Sequence, residues 1–86
     1  MVRVEGRVQG VCFRHYTRET AIQLGITGWA RNCSNGSVET LIHGSDEAVK
    51  RMIAWLGHGP SSAIVSQVHL NPVEADPLPS GFKITY

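Results

Sequence analysis

A segment near the start of the chain, VEGRVQGVCFR at residues 4–14, carries residue types that together can bind a phosphoryl group. Gly6 and Gly10 permit a tight turn between a strand and a helix, so that successive backbone N–H groups can point at one anion beside the helix start. Arg14 follows in the predicted first helical turn, where its planar guanidinium can contact the same anion. The segment therefore predicts a phosphate-binding loop, made of Gln9, Gly10, Val11, Cys12, Phe13 and Arg14.

A second segment, GWARNCSNGSVETLIHG at residues 28–44, presents Asn32 just before a turn. A carboxamide both donates and accepts hydrogen bonds, so Asn32 can hold a water molecule and direct its lone pair. Taken alone, an asparagine at a strand end is most often a turn residue, and an arginine at a helix start is most often a solvated charge. Both residues become candidates because of the segments that surround them.

The two segments together resemble the two sequence signatures of the acylphosphatase family. Residues 4–14 satisfy every fixed position of the first signature, which includes Val-Gln-Gly-Val and a closing Phe-Arg pair. Two long motifs in the right order are far more specific than a lone glycine-rich loop. The second signature is matched by Gly28, Trp29, Ala30, Arg31, Asn32, Gly36, Val38 and Gly44.

The resemblance implies that the protein hydrolyses acyl phosphates to a carboxylate and inorganic phosphate, by in-line attack of water and without a metal. A carboxylate is a good leaving group, so the demanding tasks are to hold the phosphoryl group, to offset its charge and to aim the water. The loop N–H groups and Arg14 suit the first two tasks, and Asn32 suits the third. The resemblance also implies that the water's proton passes to a phosphoryl oxygen of the substrate, so that no protein base is needed.

Composition restricts the class of protein and of partner. The chain has 86 residues, of which 42% are hydrophobic, and a net charge of +1. These values predict a single domain over residues 1–86, with no membrane span and without the positive field expected of a nucleic-acid-binding protein. No cluster of side chains has the spacing of a zinc or magnesium site, so we expect no metal and no cofactor. We expect a small-molecule acyl phosphate as the partner and, from the resemblance, a monomer.

The two cysteines, Cys12 and Cys33, stand beside the two candidate catalytic residues. With no signal-peptide pattern at Met1, they indicate reduced thiols in a cytoplasmic protein. A small hydrophobic filler is the more common role for such a cysteine. The alternative hypothesis is that oxidation or alkylation of Cys12 blocks the phosphate loop.

Hydrophobic periodicity predicts the elements of the first half of the chain. Val2 and Val4 alternate with charged residues, which indicates a strand that ends at Gly6. The following helix is predicted to begin at Phe13, to bury the face formed by residues 13, 17, 21 and 24, and to end at Gly25 as a C-cap. Two further strands, residues 26–33 and 37–43, flank a turn that contains Asn-Gly at positions 35 and 36.

The second half continues with a helix, a strand, a loop and a last strand. Ser45 is placed to cap the second helix, whose apolar face is Val49, Met52, Ile53 and Leu56. A strand over residues 64–70 and a loop over 71–81 lead to a closing strand with its inward positions at Phe82, Ile84 and Tyr86. This order predicts an α+β fold, a ferredoxin-like βαββαβ sandwich that has an antiparallel sheet, two helices on one face and an extra C-terminal strand.

The remaining functional side-chain types predict less. Trp29 and Leu24 are interpreted as core residues, and Glu5, Arg7 and Arg31 as surface residues. The four histidines, at positions 15, 43, 58 and 69, share no spacing typical of catalysis or metal binding. His15 adjoins Arg14 and can add positive charge near the anion at low pH.

Two other interpretations remain open. The same order of elements occurs in RNA-recognition domains, although this chain lacks their exposed aromatic pairs and has a net charge near zero. The chain can also be a module of a larger maturation protein that uses carbamoyl phosphate. A closing strand that ends on Tyr86 favours an independent domain over such a module.

Overall fold

The computed structural model describes residues 1–74 and 77–85. These residues form two helices and one five-stranded sheet, with the strands in the order β4-β1-β3-β2-β5. The elements are β1 (Val2–Arg7), α1 (Phe13–Leu24), β2 (Thr27–Asn32), β3 (Val38–His43), α2 (Asp46–Leu56), β4 (Ile64–Leu70) and β5 (Phe82–Thr85). The predicted ferredoxin-like arrangement of helices and strands is confirmed.

The sheet is mixed, whereas the sequence predicted an antiparallel one. Strands β1 to β4 pair antiparallel, but β5 runs parallel to β2. The chain after β4 begins beside the start of β1, where Asn71 N donates to Met1 O at 2.9 Å, and it reaches β5 beside the start of β2, where Gly28 N donates to Gly81 O at 2.9 Å. The chain therefore enters β5 at the end of the sheet where β2 begins. Tyr86, the last predicted inward position of this strand, lies outside the described residues.

Both helices contribute to one core on a single face of the sheet. From the strands, Val4 and Val38 are fully buried and lie opposite each other in the β1–β3 ladder. From the helices, Phe13, Ala21 and Met52 join the same cluster. The apolar faces predicted for the two helices therefore pack on the sheet.

Trp29 was interpreted as a core residue, and this was wrong. It stands between Gly28 and Ala30, which are buried on the helix-covered face, and side chains alternate between the faces of a strand. Trp29 thus lies half-buried on the other face, where the guanidinium carbon of Arg31 is 5.0 Å from its ring centroid. In the described part of the chain both helices lie on the other face of the sheet, so Trp29 does not join the core cluster.

The predicted helix caps are confirmed. The Ser45 side chain accepts a hydrogen bond from Ala48 N at 3.2 Å at the start of α2. Gly25 ends α1 in the left-handed region, with φ 72°. No helix in the described part of the chain has the length and apolar character needed to cross a membrane.

Gly6 lies within β1, which continues to Arg7, and not in the turn after the strand as the sequence suggested. A register shift between Glu5 and Gly6 marks a β-bulge against β4. A Cβ atom on Gly6 would lie 2.1 Å from the carbonyl oxygen of Ile64. Glycine is therefore required here for close approach of the two strands, and the turn into α1 depends on later residues.

Candidate active site

The loop between β1 and α1 bends through two residues in the left-handed region. Gly10 has φ 75°, and Cys12 has φ 58° and ψ 27°. Left-handed residues in such loops turn successive N–H groups toward one side, which makes a concave site for an anion. Within residues 1–74 and 77–85, the N–H groups of Gly10, Val11, Cys12 and Phe13 donate to no backbone carbonyl. These donors stand at the start of α1, where the helix dipole also favours an anion.

Contacts with α2 and with the segment that follows α2 hold this loop in place. The ring of Phe13 is 1% exposed and lies 5.7 Å, centroid to centroid, from the ring of Trp55 on α2. Gly59, in the segment that follows α2, lies so close that a Cβ there would be 2.5 Å from Phe13 Cε2. In the same segment, Ser62 Oγ donates to Val11 O at 3.1 Å. The loop is therefore held by the burial of Phe13 against Trp55 and Gly59, and by the hydrogen bond from Ser62 to Val11 O.

Arg14 extends from the first turn of α1 toward the end of β5. Its Nη1 donates to the backbone oxygen of Thr85 at 3.0 Å, and the side chain is partly buried. This contact restrains the guanidinium close to the loop. The sequence placed Arg14 at the helix start correctly but offered no signal for its acceptor on the last strand.

Asn32 is the last residue of β2 and lies opposite Val38 on β3. By strand alternation its side chain shares the helix-covered face with Ala30, although Asn32 itself is exposed because it lies at the end of the sheet. No side-chain hydrogen bond joins its carboxamide to another residue in the ranges 1–74 and 77–85. The carboxamide is therefore open to solvent and able to bind water.

Arg14 and Asn32 line the same cavity, which has a volume of about 330 Å³. Three other residues of the predicted phosphate loop, Gly10, Cys12 and Phe13, also line it. Its remaining walls are Val8, His15 and Ile84. A cavity lined by helix-start backbone, one guanidinium and one carboxamide can accept a phosphoryl group together with a water molecule.

Two residues of the predicted loop do not line the cavity, Gln9 and Val11. Val11 is partly buried against the core. The side chain of Gln9 points toward the turn between β2 and β3, where its Nε2 donates to Cys33 O at 2.8 Å and to Ser37 O at 2.9 Å. Sequence reasoning missed this contact, for which the only signal was a glutamine at a fixed position of the first signature.

Arg31 and Glu39 form an ion pair on the face of the sheet opposite the helices. Arg31 Nη2 lies 2.6 Å from Glu39 Oε1, and the side chain of Arg31 is exposed as predicted. The hydrogen bond from Arg31 holds the pKa of the Glu39 carboxyl below its usual value, with a smaller contribution from the Cys33 thiol. The carboxylate in turn raises the pKa of Arg31. This pair stabilises the β2–β3 hairpin from outside the cavity.

Among the histidines, His15 lines the cavity and packs its ring edge-on against Tyr16, with centroids 5.2 Å apart. His69 pairs with Glu5 on the sheet, and His58 Nδ1 lies 2.8 Å from Gly59 O. In the described ranges, no three His, Cys, Asp or Glu side chains cluster so as to hold a metal ion. Cys12 is exposed, and both cysteines are free thiols.

Comparison with known proteins identifies relatives over nearly the whole chain. A family model described as acylphosphatase matches residues 1–84. A curated acylphosphatase of Rhizobium meliloti (strain 1021) is 51% identical over 85 residues, which covers 99% of this chain and 90% of the relative.

Two solved structures support the same relationship. The crystal structure of acylphosphatase from Bacillus subtilis superposes with a TM-score of 0.93 at 28% identity, and covers 99% of this chain and 94% of that one. The structure of an acylphosphatase from Coxiella burnetii gives a TM-score of 0.91 at 37% identity, over 98% and 87% of the two chains.

Proposed function

The chain belongs to the acylphosphatase family and hydrolyses acyl phosphates to a carboxylate and inorganic phosphate; we propose that Arg14, Asn32 and the loop amides carry out this reaction without a metal. The observation that carries the proposal is that both side chains line one cavity at the start of α1. This arrangement supports two separate roles, in which Arg14 and the loop amides bind the phosphoryl group and Asn32 aligns the water. A single chain supplies every group, so we propose a monomer as the active form.

The phosphoryl group binds in the loop, where the N–H groups of Gly10, Cys12 and Phe13 donate to its oxygens. Donors that are already oriented stabilise charge in the transition state without reorganisation. Arg14 adds a planar, permanently charged group, which the Thr85 carbonyl restrains at the edge of the cavity. Together these groups offset the negative charge that would otherwise repel a nucleophile.

Asn32 binds the attacking water through its carboxamide and holds it in line with the bond that breaks. The water oxygen forms a bond to phosphorus as the bond between phosphorus and the carboxyl oxygen breaks, and that electron pair leaves with the carboxylate. The water's proton passes to a phosphoryl oxygen, so the products are a carboxylate and inorganic phosphate. The carboxylate is weakly basic and departs without a general acid.

We propose a small-molecule acyl phosphate as the substrate and the cytoplasm as the location. The site is a concave cavity formed by one chain, which is typical of small-molecule sites. The two free thiols, Cys12 and Cys33, are typical of a reducing compartment.

Hydrolysis of benzoyl phosphate in the presence of EDTA tests the proposed function. We expect turnover to be unaffected by the chelator, and an alkyl phosphate, whose alkoxide leaving group is strongly basic, to remain intact. Loss of activity in EDTA with recovery on addition of Mg²⁺ would contradict the metal-free reaction. Absence of benzoyl phosphate turnover in both conditions would contradict the proposed chemistry itself.

A further inference from the structure

The two halves of the candidate site stand on strands that are not neighbours in the sheet. β1 leads into the phosphate loop and β2 ends at Asn32, and β3 lies between them. β1 pairs with β3 only from Val2 to Val4, because β3 begins at Val38. Beyond Val4, β1 continues to Arg7 with β4 as its ladder partner on the other side. Sheet hydrogen bonds between β1 and β3 therefore stop before the phosphate loop, and they do not join this loop to the β2–β3 turn.

The side chain of Gln9 makes this connection. Its Nε2 donates to Cys33 O at 2.8 Å and to Ser37 O at 2.9 Å, so both amide hydrogens are used. The same two carbonyls close the turn, since Gly36 N donates to Cys33 O at 3.1 Å and Cys33 N donates to Ser37 O at 2.8 Å. Asn32 precedes Cys33 directly in the chain. Gln9 thus joins the phosphate loop to the residue next to Asn32.

We propose that Gln9 is a positioning residue, whose amide sets the distance between the phosphate loop and Asn32 and so aligns the attacking water with phosphorus. The proposal rests on the function proposed above for Arg14 and Asn32. A displacement of about 1 Å between reacting groups can cost on the order of 10²-fold in rate. The phosphate contacts depend on the loop amides and Arg14, whereas the hydrogen bonds of the Gln9 side chain go to the β2–β3 turn. Removing the amide therefore lowers kcat more than it lowers phosphate affinity.

The first experiment compares Gln9→Ala with the wild type, with Gln23→Ala on the exposed face of α1 as the matched control. We expect Gln9→Ala to lower kcat for benzoyl phosphate by roughly ten- to a hundredfold. The inhibition constant of inorganic phosphate should change by less than about threefold, because the phosphate contacts remain. Gln23→Ala should match the wild type in both. Unchanged kcat in Gln9→Ala, or an equal loss of kcat and phosphate affinity, would overturn the proposal.

Gln9→Glu separates positioning from a general loss of structure. A carboxylate has nearly the shape of the amide but offers no donor to the two carbonyls, whereas the protonated acid regains one donor. The ratio of Gln9→Glu kcat to wild-type kcat should therefore rise as the pH falls. A constant ratio would count against the proposal, and this readout remains available if Gln9→Ala does not fold.

A double-mutant cycle with Asn32→Ala tests whether Gln9 acts through Asn32. If it does, Gln9→Ala should lower the residual kcat of Asn32→Ala by less than about twofold, because coupled residues are not additive. A full multiplicative loss would show that Gln9 acts elsewhere. Failure of the proposed function is seen separately, as wild-type protein that does not turn over benzoyl phosphate or as Asn32→Ala with full kcat.

Discussion

Arg14 and Thr85 lie at opposite ends of the chain, yet Nη1 of Arg14 donates to the backbone oxygen of Thr85 at 3.0 Å. The contact joins the first turn of α1 to the end of β5, the edge strand beside β2. A long flexible side chain loses conformational entropy when it binds a ligand, and a restraint present before binding reduces that loss. In the proposed mechanism, the last strand therefore holds the guanidinium in place before the phosphoryl group binds.

Substitution of Arg14 and of Asn32 should separate binding from turnover. Arg14→Ala removes charge and donors from the anion, so we expect kcat/KM for benzoyl phosphate to fall by at least about 10²-fold and inhibition by phosphate to be lost. Asn32→Ala removes the group that we propose orients water, so turnover should fall by a similar factor while phosphate inhibition changes by less than about threefold. Steady-state kinetics with phosphate as a competitive inhibitor measures both.

Arg18→Ala is the matched control for the arginine, since Arg18 lies one turn further along α1 and does not line the cavity. Its Nη1 lies 3.5 Å from Glu19 Oε1 on a partly exposed surface. The variant should leave both constants within about twofold of the wild type. Equal loss of phosphate affinity in the Arg14 and Asn32 variants would show that the two roles are wrongly divided.

Local patterns predicted most of the fold because they depend on neighbours in sequence. The α1 face that includes Phe13 and Ala21 follows from helical periodicity, and the caps at Ser45 and Gly25 follow from side-chain oxygen and left-handed backbone at helix ends. Periodicity does not state which face of a strand is covered. The prediction for Trp29 was wrong for that reason. Its large size suggested burial in the core, but the position of the helices decides which face of β2 is buried.

The candidate residues could be predicted from the two signatures, but the contacts that hold them could not. Gln9 and Ser62 donate to backbone carbonyls in distant parts of the chain, and the backbone carbonyl of Thr85 accepts from Arg14. Every residue has a backbone carbonyl, so the sequence does not indicate which carbonyl will accept a hydrogen bond from a distant side chain. The parallel direction of β5 was missed similarly, because it depends on the end of the sheet at which the chain reaches Gly81, beside the start of β2.

The pairing of Arg31 with Glu39 should appear in the titration of the carboxyl group. Arg31 lowers the pKa of Glu39, so the pair stabilises the folded state above the unfolded-state pKa of glutamate, about 4.3. This stabilisation is lost as the pH falls through the lower, folded-state value. In Arg31→Met we expect the NMR titration midpoint of Glu39 to rise toward its usual value.

Arg51→Met, which breaks the exposed pair of Arg51 with Glu47 at 2.9 Å, is the control and should leave the Glu39 midpoint unchanged. A Glu39 midpoint that is the same with and without Arg31 would contradict the assigned cause.

Backbone strain at Cys12 should be measurable as stability. A non-glycine residue in the left-handed region costs roughly 1 kcal/mol, partly offset in a glycine variant by the greater entropy of the unfolded chain. We expect Cys12→Gly to leave the free energy of unfolding unchanged or to raise it by up to about 1 kcal/mol. Cys12→Val should lower it by about 1–2 kcal/mol, because a β-branched residue tolerates the left-handed conformation poorly. Urea denaturation measures the difference, and Cys12→Ser controls for the thiol. A valine variant as stable as the wild type would show that the loop is unstrained.

Ser62 should influence phosphate affinity through the peptide unit that it holds. The C=O of Val11 and the N–H of Cys12 belong to one planar trans peptide and point in opposite directions. Because Ser62 Oγ donates to Val11 O at 3.1 Å from the segment after α2, the Cys12 N–H is held facing away from that segment. A neutral hydrogen bond contributes about 0.5–1.5 kcal/mol, so Ser62→Ala should weaken inhibition by phosphate roughly two- to tenfold and change kcat little.

Ser62→Thr keeps the hydroxyl and should restore most of the affinity, whereas Ser61→Ala, at the exposed neighbouring position, should behave as the wild type. If Ser62→Ala binds phosphate as tightly as the wild type, the orientation of the Cys12 amide is set by the loop itself and not by this contact.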